Sequence, residues 1–195
     1  MKEVRVLILN GSPRKNGKVS QLLHIIEQNF LKQNAKVNFY DVCTLNFTPC
    51  KGCMACRSKK TCILPSDDAH KICQAIDKCD LLIAGTPVYW GNMNGQLKCL
   101  FDRTAGIMMG ESKHGIPLPL QKGKKAVIIT SCTTPFPFNI FAGQTTKAFN
   151  SLKEILSYSG FKIKKGINLS GTKNMKELPP RFIKKALSIT PESML

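Results

Sequence analysis

Short apolar runs alternate along this chain with segments whose apolar positions recur every three or four residues. Val4–Leu9 is apolar apart from Arg5, the pattern of a strand covered on both faces. Val19, Leu22, Leu23, Ile26 and Phe30 follow at helical spacing. Lys36–Asp41 reads as a second strand. Asp67–Asp77 reads as a helix, with Ala69, Ile72, Cys73 and Ile76 on one face and two aspartates at its positive end. Leu81–Gly85 is a third strand, Gly95–Arg103 a short helix and Lys125–Ser131 a fourth strand. A helix over 144–159 runs through Phe149, Leu152, Ile155 and Leu156 to a stop at Gly160, and Phe161–Leu169 is a fifth strand. Pro179-Pro180 opens a last helix with Phe182, Ile183, Ala186 and Leu187 inward. With no repeat or linker in view, the chain reads as one domain over 1–195, with a cysteine-rich loop at 48–65.

Strands alternating with helices predict an α/β fold of three layers, a parallel sheet with helices on both faces. Five strands of this kind suit the flavodoxin-like order 2-1-3-4-5, in which FMN sits at the switch point beyond the carboxyl ends of the strands. The loops after the first, third and fourth strands should then carry the chemistry. The first, Asn10 to Gly17, holds two glycines, a proline and two asparagines, and turns a strand into a helix. Such a turn aims backbone N–H groups and a helix dipole at an anion. Five residues separate Gly11 from Gly17, and Val19 follows Lys18, so the P-loop spacing is absent; no second glycine makes a dinucleotide fingerprint. Ser12, Arg14, Asn16 and Ser20 remain, donors that suit a terminal phosphate held without a metal. An ordinary strand-to-helix turn capped by Asn16 is the plainer alternative.

The loop after the third strand, Thr86 to Gly95, combines a proline, two neighbouring aromatics and two glycines. Tyr89 or Trp90 would give flat cover to an isoalloxazine, and the peptides of Val88–Asn92 would give donors; a hydrophobic corner or dimer contact is the alternative. Ser131 and Cys132 begin a polar stretch after the fourth strand that could meet the other side of the ring.

Composition changes the picture in two ways. Nine cysteines and no apolar run of bilayer length point to a reducing cytoplasm, and Met1–Leu9 is too short for a signal peptide. The net charge of +17 raises nucleic-acid binding, but the lysines are scattered over element ends and turns with few aromatics among them. They read as solvated surface biased toward anionic ligands, with nucleic acid and membrane both disfavoured as partners.

The Gly11–Gly17 loop, the Thr86-Pro87-Val88-Tyr89-Trp90 segment and Leu97-Lys98-x-x-Phe101-Asp102-Arg103 together resemble the NAD(P)H-dependent FMN reductases, and among them the flavodoxin-fold iron–sulfur flavoproteins, over roughly residues 4–190. The resemblance implies that Ser12, Arg14, Asn16, Gly17 and Ser20 hold the FMN phosphate. It implies that Pro87, Val88, Tyr89, Trp90, Gly91 and Asn92 hold the ring, with Ser131 and Cys132 nearby.

Between the second strand and its helix lies Cys50-x2-Cys53-x2-Cys56-x5-Cys62. Successive x2 steps let one loop wrap three corners of a cubane, and Cys62 can close the fourth. Zinc sites more often pair two separated knuckles, and a metal-free thiol loop is a third reading. The spacing is similar to the compact motif of the iron–sulfur flavoproteins, which implies a [4Fe–4S] cluster and a homodimer or homotetramer. The activity so implied is an FMN-dependent oxidoreductase. A nicotinamide, NADH or NADPH, gives hydride to the flavin, and the electrons pass, through the cluster, to an acceptor the sequence does not name. No protein acid or base is needed, so no catalytic residue is nominated, and His24, His70 and His114 have no catalytic spacing. The alternatives are a flavin, quinone or nitro-aromatic reductase without a cluster, a flavodoxin-like electron carrier, and, more remotely, a basic nucleic-acid-binding protein. Residues 104–123 read as a long apolar loop that would cover the flavin of a neighbouring subunit. Pro135–Phe141 reads as a lid or partner surface.

Overall fold

A computed structural model describes residues 3–194. Met1, Lys2 and Leu195, which the domain and leader readings include, lie outside the described residues. Strand β1 (Arg5–Asn10) leads through the glycine-containing turn to helix α1 (Lys18–Leu31), then β2 (Lys36–Asp41), a one-turn helix α2 (Cys56–Lys59) and α3 (Asp68–Lys78). Strand β3 (Leu81–Pro87), helix α4 (Gly95–Met108), a hairpin of β4 (Met109–Glu111) and β5 (Pro117–Pro119), and β6 (Lys125–Ser131) follow. The chain ends with α5 (Phe138–Phe141), α6 (Gln144–Tyr158), β7 (Lys162–Leu169), α7 (Pro180–Leu187) and α8 (Pro191–Met194).

The sheet is five-stranded in the order β2-β1-β3-β6-β7, and every pairing in it is parallel. Counting only its strands, this is the order 2-1-3-4-5, so the flavodoxin-like class is the observed one. The alternation of side chains along each strand divides the core. Leu7, Leu9, Leu82, Ala84, Ala126 and Ile128 face α3, α4 and α6, meeting Ile72, Ile76, Leu97, Leu100, Leu152 and Leu156. Val6, Ile8, Ile83, Val127, Ile129 and Ile167 face the other way, meeting Leu22, Leu23, Ile26 and Phe30 of α1 and Phe182 and Ala186 of α7. Edge strand β7 turns Lys162, Lys164 and Asn168 to solvent, which blunts its open side.

Residues 104–123 are not an irregular loop. Helix α4 runs on through Thr104, Gly106 and Met108, all buried, and the chain returns through the β4–β5 hairpin. The glycine within this helix has a packing reason. A Cβ at Gly106 would stand 2.6 Å from Cβ of Cys56, so the missing side chain is what lets α2 lie against α4. Met108 keeps the helix turned inward, and Gln121 closes the hairpin by donating from Nε2 to the Ile107 carbonyl at 2.6 Å.

Candidate functional site

Helix α1 leaves β1 on one face of the sheet and α4 leaves β3 on the other, so the connections part between these neighbouring strands. A cleft of about 300 Å³ opens there, over the carboxyl ends of β1, β3 and β6. Its walls are the turn after β1, the segment after β3 and the residues after β6, and the turn after β7 closes it.

The turn after β1 is held from beneath. Asn10 donates from Nδ2 to Asp41 at 2.7 Å and to Ser20 Oγ at 3.0 Å, and accepts from the Ser12 N–H at 3.1 Å. Ser20 Oγ donates to the Arg14 carbonyl at 2.8 Å, and Ser12 Oγ donates to the same carbonyl at 3.1 Å. These bonds curl the backbone so tightly that a Cβ on Gly17 would lie 2.8 Å from Ser12 Oγ. Gly17 stands at the N-cap of α1 with no side-chain cap and no acidic residue in the first turn. By contrast Asp67 caps α3 and Asn94 caps α4. The start of α1 therefore keeps its orphan N–H donors and its positive end facing the cleft. Arg14, Lys18 and Lys173 are among the lining residues and no carboxylate is, so the cleft is built for an anion.

Of the residues expected to bind a cofactor, Ser12, Arg14, Asn16, Gly17, Pro87, Val88, Tyr89, Ser131 and Cys132 line this cleft together. Ser20 does not; it is fully buried and serves as a strut under the turn. Asn16 does not cap α1; its carbonyl accepts from Gln21 Nε2 at 2.8 Å instead. Trp90, Gly91 and Asn92 stand away from the lining. Tyr89 and Asn92 exchange backbone hydrogen bonds at 2.9 Å each way, closing a tight turn with Trp90 and Gly91 at its tip, both at positive φ. The N–H groups of Val88, Tyr89 and Asn92 are thus already paired, Val88 to the Ser131 carbonyl at 2.7 Å. Trp90 is fully exposed at φ 53°, a region costly for a side chain of its size. Trp90→Gly is expected to stabilise the protein by about 0.5–1 kcal/mol, after the entropy of glycine is set against the relief, and a urea titration reads this directly.

The Cys132 thiol donates to the Thr134 carbonyl at 3.3 Å and is almost wholly buried. Burial pushes its pKa up, against the lowering effect of backbone hydrogen bonds, and it forms part of the cleft wall. Thr172, Lys173 and Met175 were not expected. They follow β7, and Thr172 donates from Oγ1 to the Cys132 carbonyl at 3.0 Å, which folds that turn over the cleft. The rule that ligands meet the carboxyl ends of strands applied to this loop as well.

The four cysteines of the x2, x2, x5 run border one small cavity with Asp102 and Arg103. Gly52 and Met54 both take positive φ, so the loop turns sharply after Cys50 and again after Cys53. The Gly52 N–H reaches Cys50 Sγ at 3.4 Å. Burial raises the Cys56 pKa, and the neighbouring Cys50, Cys62 and Cys53 sulfurs raise it further. Among the described residues no three His, Cys, Asp or Glu side chains are grouped closely enough to hold a single metal ion. The four thiols share a cavity wall without meeting at one point.

A doubly wound parallel sheet with an acid-free, cationic cleft at its switch point defines a protein of the flavodoxin class. The sequence profile of the flavodoxin-like fold family matches residues 4–188, and the chain belongs to that family. An iron–sulfur flavoprotein of Clostridioides difficile is 34% identical over 100 residues, which are 50% of this chain and 44% of that protein. The NADH-dependent FMN reductase SfnF of Pseudomonas putida is 29% identical over 117 residues, 60% of this chain and 58% of that one. These matches span about half the length of each protein. A NAD(P)H:quinone oxidoreductase structure from Methanothermobacter marburgensis superposes with a TM-score of 0.75 at 16% identity, covering 96% of this chain and 97% of that one, a likeness of fold. No described helix is long and apolar enough to cross a membrane.

Proposed function

We propose that this chain is an FMN-dependent NAD(P)H oxidoreductase of the iron–sulfur flavoprotein kind, working in the cytoplasm. The observation that carries the reading is the switch-point cleft: uncapped helix start, three cationic side chains and no carboxylate. Bound FMN would supply acceptance of hydride from a nicotinamide and release of the electrons one at a time. Arg14, Lys18 and Lys173 would neutralise its phosphate, with Ser12 and the backbone of Asn16 to Val19 shaping the seat. Pro87, Val88 and Tyr89 on one side and Ser131 to Thr133 on the other would orient the ring and keep water from it. Cys50, Cys53, Cys56 and Cys62 would hold a [4Fe–4S] cluster as the outlet to an acceptor; the shared cavity and the iron–sulfur relative support this. The exposed Trp90, Phe136, Phe138, Ile140 and Phe141 support self-association as a dimer or tetramer.

A second reading keeps the flavin and omits the cluster, supported by the FMN reductase relative. One preparation, purified without oxygen and assayed for FMN, iron and sulfide beside its absorption spectrum, separates the two. Flavin bands with about four irons per chain are the expected result. Flavin without iron would leave a plain reductase, and no flavin even after added FMN would overturn both readings.

A further inference from the structure

Arg103 reaches the cysteine cavity from α4 with its side chain wholly buried. A buried guanidinium needs an acceptor for each of its donors. Nη1 donates to Asp67 Oδ2 at 2.7 Å and to the Thr48 carbonyl, and Nη2 donates to Asp67 Oδ1 at 3.0 Å. Nε is left with no acceptor. The same Asp67 caps α3, and His70 in the first turn of α3 approaches the Cys62 carbonyl with Nε2 at 3.2 Å. A carbonyl only accepts, so Nε2 donates there, while Nδ1 lies 3.0 Å from Asp67 Oδ1 and 3.2 Å from the Asp67 backbone nitrogen. One frame therefore fixes both the guanidinium and the backbone of Cys62, the cysteine that stands apart from the x2 steps. Burial disfavours the charge on Arg103, but the hydrogen-bonded Asp67 carboxylate and the nearby Cys62 sulfur outweigh it and raise its pKa. The unpaired N–H belongs to a rigid group that borders the cavity of all four thiols.

We propose that Arg103 is a positioning residue of the cluster site: its Nε–H donates to the Cys62 sulfur when that sulfur is bound to iron. The bond holds the fourth corner in place and raises the potential of the cluster, as hydrogen bonds to cluster sulfurs do. It rests on the cluster reading above. A merely structural Arg103 would complete the Asp67 ion pair and leave the potential alone.

The test uses the whole protein with arginine labelled in ¹⁵N and the cluster reduced by dithionite. Pulsed electron paramagnetic resonance is expected to show a weak nitrogen coupling that disappears when Arg103→Met is combined with Asp67→Asn. Removing both charges together avoids an orphaned carboxylate in the fold. The midpoint potential of that double variant is expected to lie below that of Asp67→Asn alone, which keeps the donor. Absence of an arginine coupling in the iron-loaded wild type overturns the inference while the cluster reading stands, and so does a double variant with the potential of Asp67→Asn. If the double variant does not fold, the wild-type coupling decides alone. No iron in the anaerobic wild type overturns the cluster reading and this inference with it.

Discussion

Asp67→Ala is expected to cost about 3–5 kcal/mol of folding stability, the effect of stranding one partner of a buried ion pair. Asp67 takes both Nη groups of Arg103, the Thr48 N–H at 3.2 Å and the Ala69 N–H at 3.1 Å. The carboxylate thus joins α4, the segment entering the cysteine loop and the start of α3 at one point. Alanine leaves the Arg103 charge without a counter-ion inside the protein and uncaps α3 as well. Asp67→Asn keeps an acceptor for the helix start and loses the charge, so the gap between the two variants in urea midpoint measures the cap, about 1 kcal/mol. The same site sets a pH dependence. Burial raises the Asp67 pKa, but hydrogen bonds from Arg103, Thr48 and His70 win and lower it from 3.8 to about 2. A depressed carboxylate pKa stabilises the fold above the unfolded value and loses that contribution as pH falls through the folded one. About 2 kcal/mol of wild-type stability should therefore fade between pH 4 and about pH 2, and the Asp67→Asn variant should lack that part of the acid slope.

The parts of this fold that depend on neighbours in sequence were legible, and those that depend on distant contacts were not. Val6 to Leu9, Leu81 to Ala84 and Ala126 to Ile129 are covered on both faces, so their unbroken apolar runs announce central parallel strands. The turn after β1 was legible because its residue types perform the bonding seen: Asn10, Ser12 and Ser20 are short polar side chains within reach of their own backbone. Helix α4 was read too short: it continues to Met108, and the packing of Gly106 against Cys56 is a contact with a residue 50 positions away. Tyr89 or Trp90 was expected to cover the ring because an aromatic after β3 suits one. Tyr89 lines the cleft, and the turn with Asn92 leaves Trp90 exposed outside the lining. Lys173 and Met175 lay beyond a strand assigned no part in the site, though the carboxyl-end rule reached them too. The Arg103–Asp67 pair spans 36 positions, and only the folded chain shows that its spare donor borders the cavity of the thiols.

Arg14→Ala is expected to weaken FMN retention roughly 10- to 150-fold, the loss of one charge-assisted hydrogen bond of about 1.5–3 kcal/mol. The side chain is exposed at the cleft while its backbone is tied down, since the Arg14 carbonyl accepts from both Ser12 and Ser20 and its N–H donates to Ser12 Oγ at 3.3 Å. Truncation beyond Cβ therefore removes the guanidinium and leaves the turn intact. Lys18 is a poorer substitute for it, because Lys18 Nζ already donates to the Lys176 carbonyl at 2.8 Å. The test is a comparison of two ligands by isothermal titration calorimetry or flavin fluorescence. FMN binding should fall in the variant, and riboflavin binding, which has no phosphate to lose, should stay as it is. Raising salt should narrow the FMN difference, since an exposed cation acts over a screened distance. Equal losses for FMN and riboflavin would place Arg14 against the ring, and no loss for either would move the phosphate toward Lys18 and Lys173.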